Sequence, residues 1–196
     1  MRRFVDMKHL CDYITESSSD DCYSGLKNFF KMFATCASGV QRAYYEQMLR
    51  DIKPVEVVPM SDVFTESEIK EIVALVKPIP KQCYVNAWKF VESNPTDHKV
   101  EYVEGYTSLY GVPIEHAFNV VDGKHYVDIT VEYALESPLD GGYASLGTFS
   151  DDTVRKCLIE NEYYGEIYKT IFRHNYEEKK IKPSKKKPIV VDGIRI

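Results

Sequence analysis

The 196-residue sequence lacks a long apolar segment. None of its hydrophobic runs approaches the ~18 continuous apolar residues that span a membrane, and charged residues interrupt the N-terminus before a signal-like apolar region forms. We therefore expect a soluble, cytoplasmic protein with no membrane partner. Hydrophobic residues make up 44% of the chain and aromatic residues 13%, which is enough to fill a sizeable core.

The sequence also lacks closely spaced cysteines. A zinc site or a redox dithiol usually contains a CxxC pair, and none occurs. We therefore expect free thiols, no metal site and no cofactor. Most free thiols are small buried hydrophobic groups, so a reactive one must be identified from its surroundings. The five cysteines are Cys11, Cys22, Cys36, Cys83 and Cys157.

Net positive charge is confined to the C-terminus. The whole chain carries −5, but residues 179–196 contain seven Lys or Arg and only Asp192, so this tail is +6 and the remainder is −11. An acidic body makes a poor nucleic-acid groove, so nucleic acid is not the expected partner. The tail is typical of a solvated terminal segment, and it is also the part that would contact phosphates or an acidic partner.

Apolar periodicity predicts helices in the first half of the chain. Residues 1–14, 26–38 and 40–53 each place apolar side chains at helical spacing. Residues 54–60 are predicted to be an extended connector. Residues 65–68, with the sequence TESE, have the T-x-x-E form of a capping box and predict the start of another helix.

The second half predicts a mixture of helix and strand. Cys83 falls in the first turn of a helix of about three turns that ends at Asn94-Pro95 and should bury Trp88 and Val91 against a sheet. Later segments are predicted as β-structure at 99–112, hairpin strands at about 115–121 and 124–131, a surface loop at 132–149, and two helices that begin near Ser150 and Ile167.

This order of elements predicts an α+β fold with an antiparallel β-sheet packed against the Cys83 helix. We expect a single domain over residues 1–178. Its first part, 1–60, would be a helical N-terminal extension, and its second part, 61–178, would be the core. The basic Lys/Pro tail over 179–196 would follow.

The position of Cys83 suggests a reactive thiol. A thiol in the first turn of a helix meets unsatisfied backbone N–H groups and the positive end of the helix dipole, and both favour the thiolate. The same N–H groups can face the oxyanion of a tetrahedral intermediate, and the Gln82 amide is a candidate additional donor.

The hairpin after Ile114 supplies a candidate base and carboxylate. If Asp122-Gly123 formed a two-residue turn, His116 would lie opposite Ile129, and Asp128 would point to the other face. If residues 121–123 form a three-residue loop with a left-handed glycine, His116 lies directly opposite Asp128. We predict the second arrangement, with Asn119 and Asp122 as lesser candidates for the orienting group.

The order of these motifs resembles a known superfamily. KQCYVNAW, YVEGY and PIEHAFNVVDGKHYVDIT are similar to segments of transglutaminase-like proteins within the papain-like cysteine hydrolases, particularly small phage or bacterial members. The resemblance covers about residues 81–130 and implies Cys83 as nucleophile, His116 as base and Asp128 as orienting carboxylate. Phe118 stands where many relatives have Trp, so substrate contacts do not transfer. A phage-encoded protein would act in the host cytoplasm.

Two functions from different classes follow. The first is a cysteine-dependent hydrolase or acyltransferase that acts on an amide of a protein or peptide substrate through an acyl-enzyme. That amide would be a peptide bond, an isopeptide bond or a glutamine side chain. The second is a catalytically inactive member of the same fold that binds a host or partner protein.

Overall fold

The computed structural model describes residues 22–108, 113–139, 142–181, 190–191 and 194–195. The helix predicted over 1–14 and most of the basic tail lie outside this part of the chain. The described residues form an α+β structure, as the sequence predicts. None of their helices combines the length and the apolar character needed to cross a bilayer.

The described α-helices lie on both sides of the sheet strands in the chain order. The α-helices are α1 (Cys22–Cys36), α2 (Gly39–Asp51), α3 (Glu66–Val76), α4 (Cys83–Glu92), α5 (Asp151–Asn161) and α6 (Ile167–Ile181). A short 3-10 helix covers Met60–Asp62, and a π-helical turn covers Thr130–Ala134. The predicted capping box is present, since the Thr65 N–H donates to Glu68 Oε2 at 2.8 Å and the Glu68 N–H donates to Thr65 Oγ1 at 3.4 Å.

Five antiparallel strands form one curled sheet in the order β1-β5-β2-β3-β4. They are β1 (Lys53–Val55), β2 (Val100–Thr107), β3 (Ile114–Val121), β4 (His125–Val127) and β5 (Tyr143–Phe149). Val57 forms a parallel bridge with Tyr126, and the Val58 N–H donates to the Tyr126 carbonyl at 2.9 Å. The chain just after β1 therefore meets β4, which brings the two edges of the sheet together. Two short strands, β6 (Val190–Val191) and β7 (Ile194–Arg195), pair separately.

Residues 54–60, predicted as a connector, thus contribute to the sheet. The prediction of a surface loop over 132–149 is wrong for its second half, because Tyr143–Phe149 is β5 and pairs with both β1 and β2. Its sequence, YASLGTF, mixes the strand-favouring residues Tyr, Thr and Phe with Ala, Ser and Gly, so pairing with β1 and β2 decides its structure.

The concave interior of the curled sheet is apolar. Val103, Phe118, Val120 and Tyr143 are buried there and pack with Val55, Val57 and Tyr126. The opposite face is covered by helices, with α4 packed on β2 and β3 and the α1–α2 pair packed near Tyr106 and Ala144.

Helix α4 buries a different stripe from the one we expected. Ala87 and Phe90 are fully buried, whereas Trp88 and Val91 are only partly buried. Residues 83, 87 and 90 are spaced by four and three positions, so they share one side of the helix. The Trp88 ring instead lies near Tyr164, with ring centroids 5.5 Å apart, and beside the Arg155 guanidinium.

A buried carboxylate connects the sheet to the last helix. Glu104, in β2, accepts hydrogen bonds from the backbone N–H groups of Ile167 and Tyr168 at 3.0 and 2.9 Å and from the Tyr102 hydroxyl at 3.1 Å. Burial raises the pKa of Glu104, while these hydrogen bonds oppose the shift. The first N–H groups of α6 therefore find an acceptor inside the protein.

We expect Glu104→Ala to lower the free energy of unfolding by roughly 3 kcal/mol, because two helix N–H groups and one hydroxyl lose their acceptor. Glu104→Gln keeps one acceptor oxygen, so its decrease in the free energy of unfolding should be smaller. Urea denaturation of both variants at neutral pH measures the two effects. Equal midpoints for the wild type and Glu104→Ala would show that this carboxylate does not hold α6.

Candidate active site

Cys83 is the first residue of α4 and is half-buried. The chain approaches it through a tight turn in which the Gln82 N–H donates to the Ile79 carbonyl at 3.3 Å. The Asn86 side chain holds this turn against the helix, since its Oδ1 accepts from the Ile79 N–H at 3.1 Å and its Nδ2 donates to the Ile79 carbonyl at 2.8 Å. The thiol therefore lies at a helix start that is fixed by its own side-chain contacts.

His116 lies on β3 opposite Gly105 of β2 and is 4% exposed. Strand β4 ends at Val127, so it pairs only with residues 119–121 of β3 and leaves the His116 end of that strand uncovered by β4. The imidazole ring packs against Phe118 and Tyr143, with ring centroids 6.2 Å apart in each case. The backbone and both rings restrict the orientation of the imidazole.

Asp128 follows β4, is fully buried and accepts four hydrogen bonds. Its Oδ2 lies 2.6 Å from His116 Nε2 and accepts from the Tyr143 hydroxyl at 2.9 Å. Its Oδ1 accepts from the backbone N–H groups of Thr130 and Val131 at 3.0 and 3.1 Å. A buried carboxylate is stable when every lone pair has a donor, and this one approaches that condition.

The electrostatic environment of His116 favours the protonated form of its ring. Burial lowers its pKa, but the charge of Asp128, the hydrogen bond to Asp128, and hydrogen bonding and charge interaction with Cys83 together outweigh burial and raise the pKa to about 10. Because Nε2 is engaged by Asp128, Nδ1 is the ring nitrogen left for the thiol. The structure thus brings His116 and Asp128 into direct contact, and it places Cys83 near enough to act on the His116 ring.

The register of the hairpin differs from both alternatives. Val120 pairs with Tyr126 and Val121 with His125, so the position opposite Asp128 is Phe118 and not His116. The predicted direct pairing is therefore wrong by two residues. A shift of two positions leaves each side chain on its original face, and diagonal neighbours remain within reach of long side chains.

The lesser candidates have other contacts. Asn119 donates to the Ala87 carbonyl at 2.9 Å and so attaches α4 to the sheet. Asp122 lies 2.7 Å from His98 Nδ1 at the hairpin turn. Gln82 is exposed beside Cys83 and makes no side-chain cap to α4. Its role as an oxyanion donor stays a prediction.

Three site residues were missed from the sequence. Asn86 also donates to Thr130 Oγ1 at 3.1 Å, which ties the Cys83 helix to the segment after Asp128. The D-x-T spacing of Asp128 and Thr130 is typical of an Asx turn and was a usable signal. Tyr143 gave no such signal, because its contact with Asp128 depends on the pairing of β5.

No protein-family model, curated protein or solved structure gives a significant match to the chain, so the functional argument rests on the geometry.

Tyr143→Phe removes one of the two donors to Asp128 Oδ2. We expect the free energy of unfolding to fall by about 1.5 to 3 kcal/mol, because the lost hydrogen bond is to a charged and buried group. Tyr126→Phe makes the same chemical change in the same apolar interior and should stay within about 0.5 kcal/mol of the wild type. Equal effects of the two substitutions, measured by urea unfolding, would contradict a special role of the Tyr143 hydroxyl.

The buried His116–Asp128 pair also predicts a pH dependence of stability. The pKa of His116 in the folded protein, about 10, exceeds its ordinary value of 6.5. The contribution of the charged ring to the free energy of unfolding is therefore fully present below pH 6.5 and is lost as pH rises through about 10. The difference in unfolding free energy between the wild type and His116→Gln should therefore shrink over that range. A constant difference would show that the ring is not held as the cation.

Proposed function

We propose that the protein is a cysteine-dependent hydrolase or acyltransferase that acts on an amide of a protein or peptide. The observation that carries the proposal is the buried 2.6 Å contact between His116 Nε2 and Asp128 Oδ2, with Cys83 at a helix start as the further partner of the same ring. A nucleophile, a base and an orienting group arranged in this sequence define a thiol acyl-transfer site by their roles.

In the first step, the Cys83 sulfur would attack the amide carbonyl carbon and form a C–S bond. The oxygen becomes an oxyanion, which the unsatisfied N–H groups at the start of α4 and the Gln82 amide would face. The His116 imidazolium would then donate a proton to the leaving nitrogen as the C–N bond breaks. The product of these steps is a thioester on Cys83 and a free amine or ammonia.

In the second step, water or an amine would attack the thioester carbonyl carbon while neutral His116 accepts the proton of the attacking group. The C–S bond then breaks, which releases a carboxylic acid or a new amide and restores the Cys83 thiolate and the His116 imidazolium. Asp128 would keep Nε2 occupied, so that Nδ1 faces the reaction throughout. Peptidases, deamidases, amidases and transglutaminases share these steps and differ in the acceptor.

The resemblance to transglutaminase-like and papain-like proteins over residues 81–130 supports this class and a core of the same kind, in which the Cys83 helix packs on an antiparallel sheet.

Selective alkylation tests the proposal. At about pH 6, iodoacetamide should modify Cys83 at least roughly tenfold faster than the exposed Cys36, because an ordinary thiol is mainly protonated at this pH. Peptide mass spectrometry measures each cysteine separately in one sample, so Cys36 is an internal control for the reagent.

The variants His116→Ala and Asp128→Asn should slow the alkylation of Cys83 and leave that of Cys36 unchanged, with circular dichroism as the control for folding. If Cys83 reacts no faster than Cys36 in the folded wild type, the enzyme proposal fails. The catalytically inactive partner-binding protein is then the favoured interpretation.

A further inference from the structure

A groove of about 540 Å³ begins beside the candidate site and is walled by tyrosine rings. Tyr44 of α2, Tyr84 of α4 and Tyr106 of β2 all line it. Tyr84 directly follows Cys83, and Glu115, which also lines the groove, directly precedes His116. Cys83 and His116 do not line the groove themselves, but α4 and β3, which carry them, each contribute a lining residue that is their neighbour in the chain.

Carboxylates dominate the charged lining of the groove. Burial raises the pKa of Tyr84, and the negative charges of Glu115, Glu104 and Cys83 raise it further, so these groups act on the same ring. The pKa of Tyr44 is raised by burial and then by Glu115 and Glu104. Glu115 and Glu104 therefore lie close to the tyrosine rings of the groove.

Basic residues lie on the α6 wall of the groove. They are Lys169, which contacts Glu166 at 2.7 Å, and Arg173; the same helix also places Glu177 on the groove. The complete set of charged lining residues is four Glu, one Lys and one Arg, which leaves a net charge of −2.

Glu115 differs from Glu104 and Glu166 in its free acceptor capacity, and it differs from Glu177 in directly preceding His116 in the chain. Glu104 is buried and accepts hydrogen bonds from the backbone of α6, and Glu166 contacts Lys169 and the Tyr163 hydroxyl. Glu115 is exposed, and the Tyr106 hydroxyl donates to its Oε1 at 3.1 Å. Among the described residues Glu115 forms no ion pair, so a ligand cation can approach it without displacing a partner.

We propose that this groove binds a cationic side chain of the substrate, Lys or Arg, next to the amide that Cys83 attacks, and that Glu115 is the specificity-determining residue. The inference rests on the proposed function. Tyrosine rings cover the aliphatic stem of such a side chain and attract its charged end, and Glu115 supplies the opposite charge. Specificity arises because an acidic side chain in the same place would meet Glu115 with repulsion.

The test uses two peptidyl acyloxymethyl ketones that differ only in carrying Lys or Glu at the side chain next to the reactive ketone. In the labelling step the Cys83 sulfur forms a bond to the methylene carbon, and the C–O bond breaks to release a carboxylate. The second-order rate of labelling of Cys83, measured by mass spectrometry, should be at least about fivefold higher for the Lys probe, as expected for one partly exposed charge pair.

Three variants isolate Glu115. Glu115→Gln should abolish most of this preference and Glu115→Lys should reverse it, when the rate of each peptide probe is divided by the iodoacetamide rate of the same variant. Glu46→Gln is the matched control, because it removes the same charge from α2 at a residue outside the groove lining, and it should keep the preference. Added salt should reduce the preference of the wild type.

The outcomes separate this inference from the proposed function. If iodoacetamide modifies Cys83 rapidly but the two peptide probes react equally, or neither reacts, the groove proposal is overturned and the thiol site stands. A preference for the Lys probe that survives in Glu115→Lys would also overturn it. Slow modification of Cys83 by iodoacetamide would instead contradict the function itself.

Discussion

The hydrogen bond between His116 and Asp128 is the interaction on which the candidate site depends. Both side chains are removed from water, so neither charge is stable there without the other. Asp128 accepts hydrogen bonds from two backbone N–H groups and from the Tyr143 hydroxyl. Its carboxylate is therefore held in place by contacts that do not involve the imidazole. The ring then has one nitrogen committed to Asp128 and the other available to Cys83. The orientation of the His116 ring is therefore set by Asp128 and by the residues that hold Asp128 in place.

The curled sheet explains how these groups meet. Helix α4 lies against β2 and β3, while Phe118, Tyr126 and Tyr143 fill the concave interior. The short strand β4 stops at Val127, which frees the chain to turn at Asp128 near the exposed edge of β3. Gly105, which lies opposite His116, allows β2 and β5 to approach closely, because a Cβ there would lie only 2.0 Å from the Ala144 carbonyl oxygen. Asn86 and Thr130 then join the thiol helix to the Asp128 segment.

Much of this site follows from local sequence signals. The helical spacing that begins at Cys83 places the thiol at a helix start, and the alternation of strand residues places His116 on the same face as Phe118 and Val120. The register was not predictable, because Asp122 binds the Lys99 N–H and His98, and these distant contacts determine the turn. Strand β5 was missed for a related reason, since its residues become a strand only between two partners. Tyr143 was missed with it.

The most direct measurement of the central claim is the NMR signal of the His116 ring nitrogens and their protons, in the wild type and in Cys83→Ala. We predict a strongly downfield proton on Nε2 in both proteins, because Asp128 holds that proton in either case. We also predict that the Nδ1 signal changes when the thiol is removed, because Cys83 is its partner. A ring without a proton on Nε2, or an Nδ1 signal that is identical in the two proteins, would contradict the arrangement of thiol, imidazole and carboxylate.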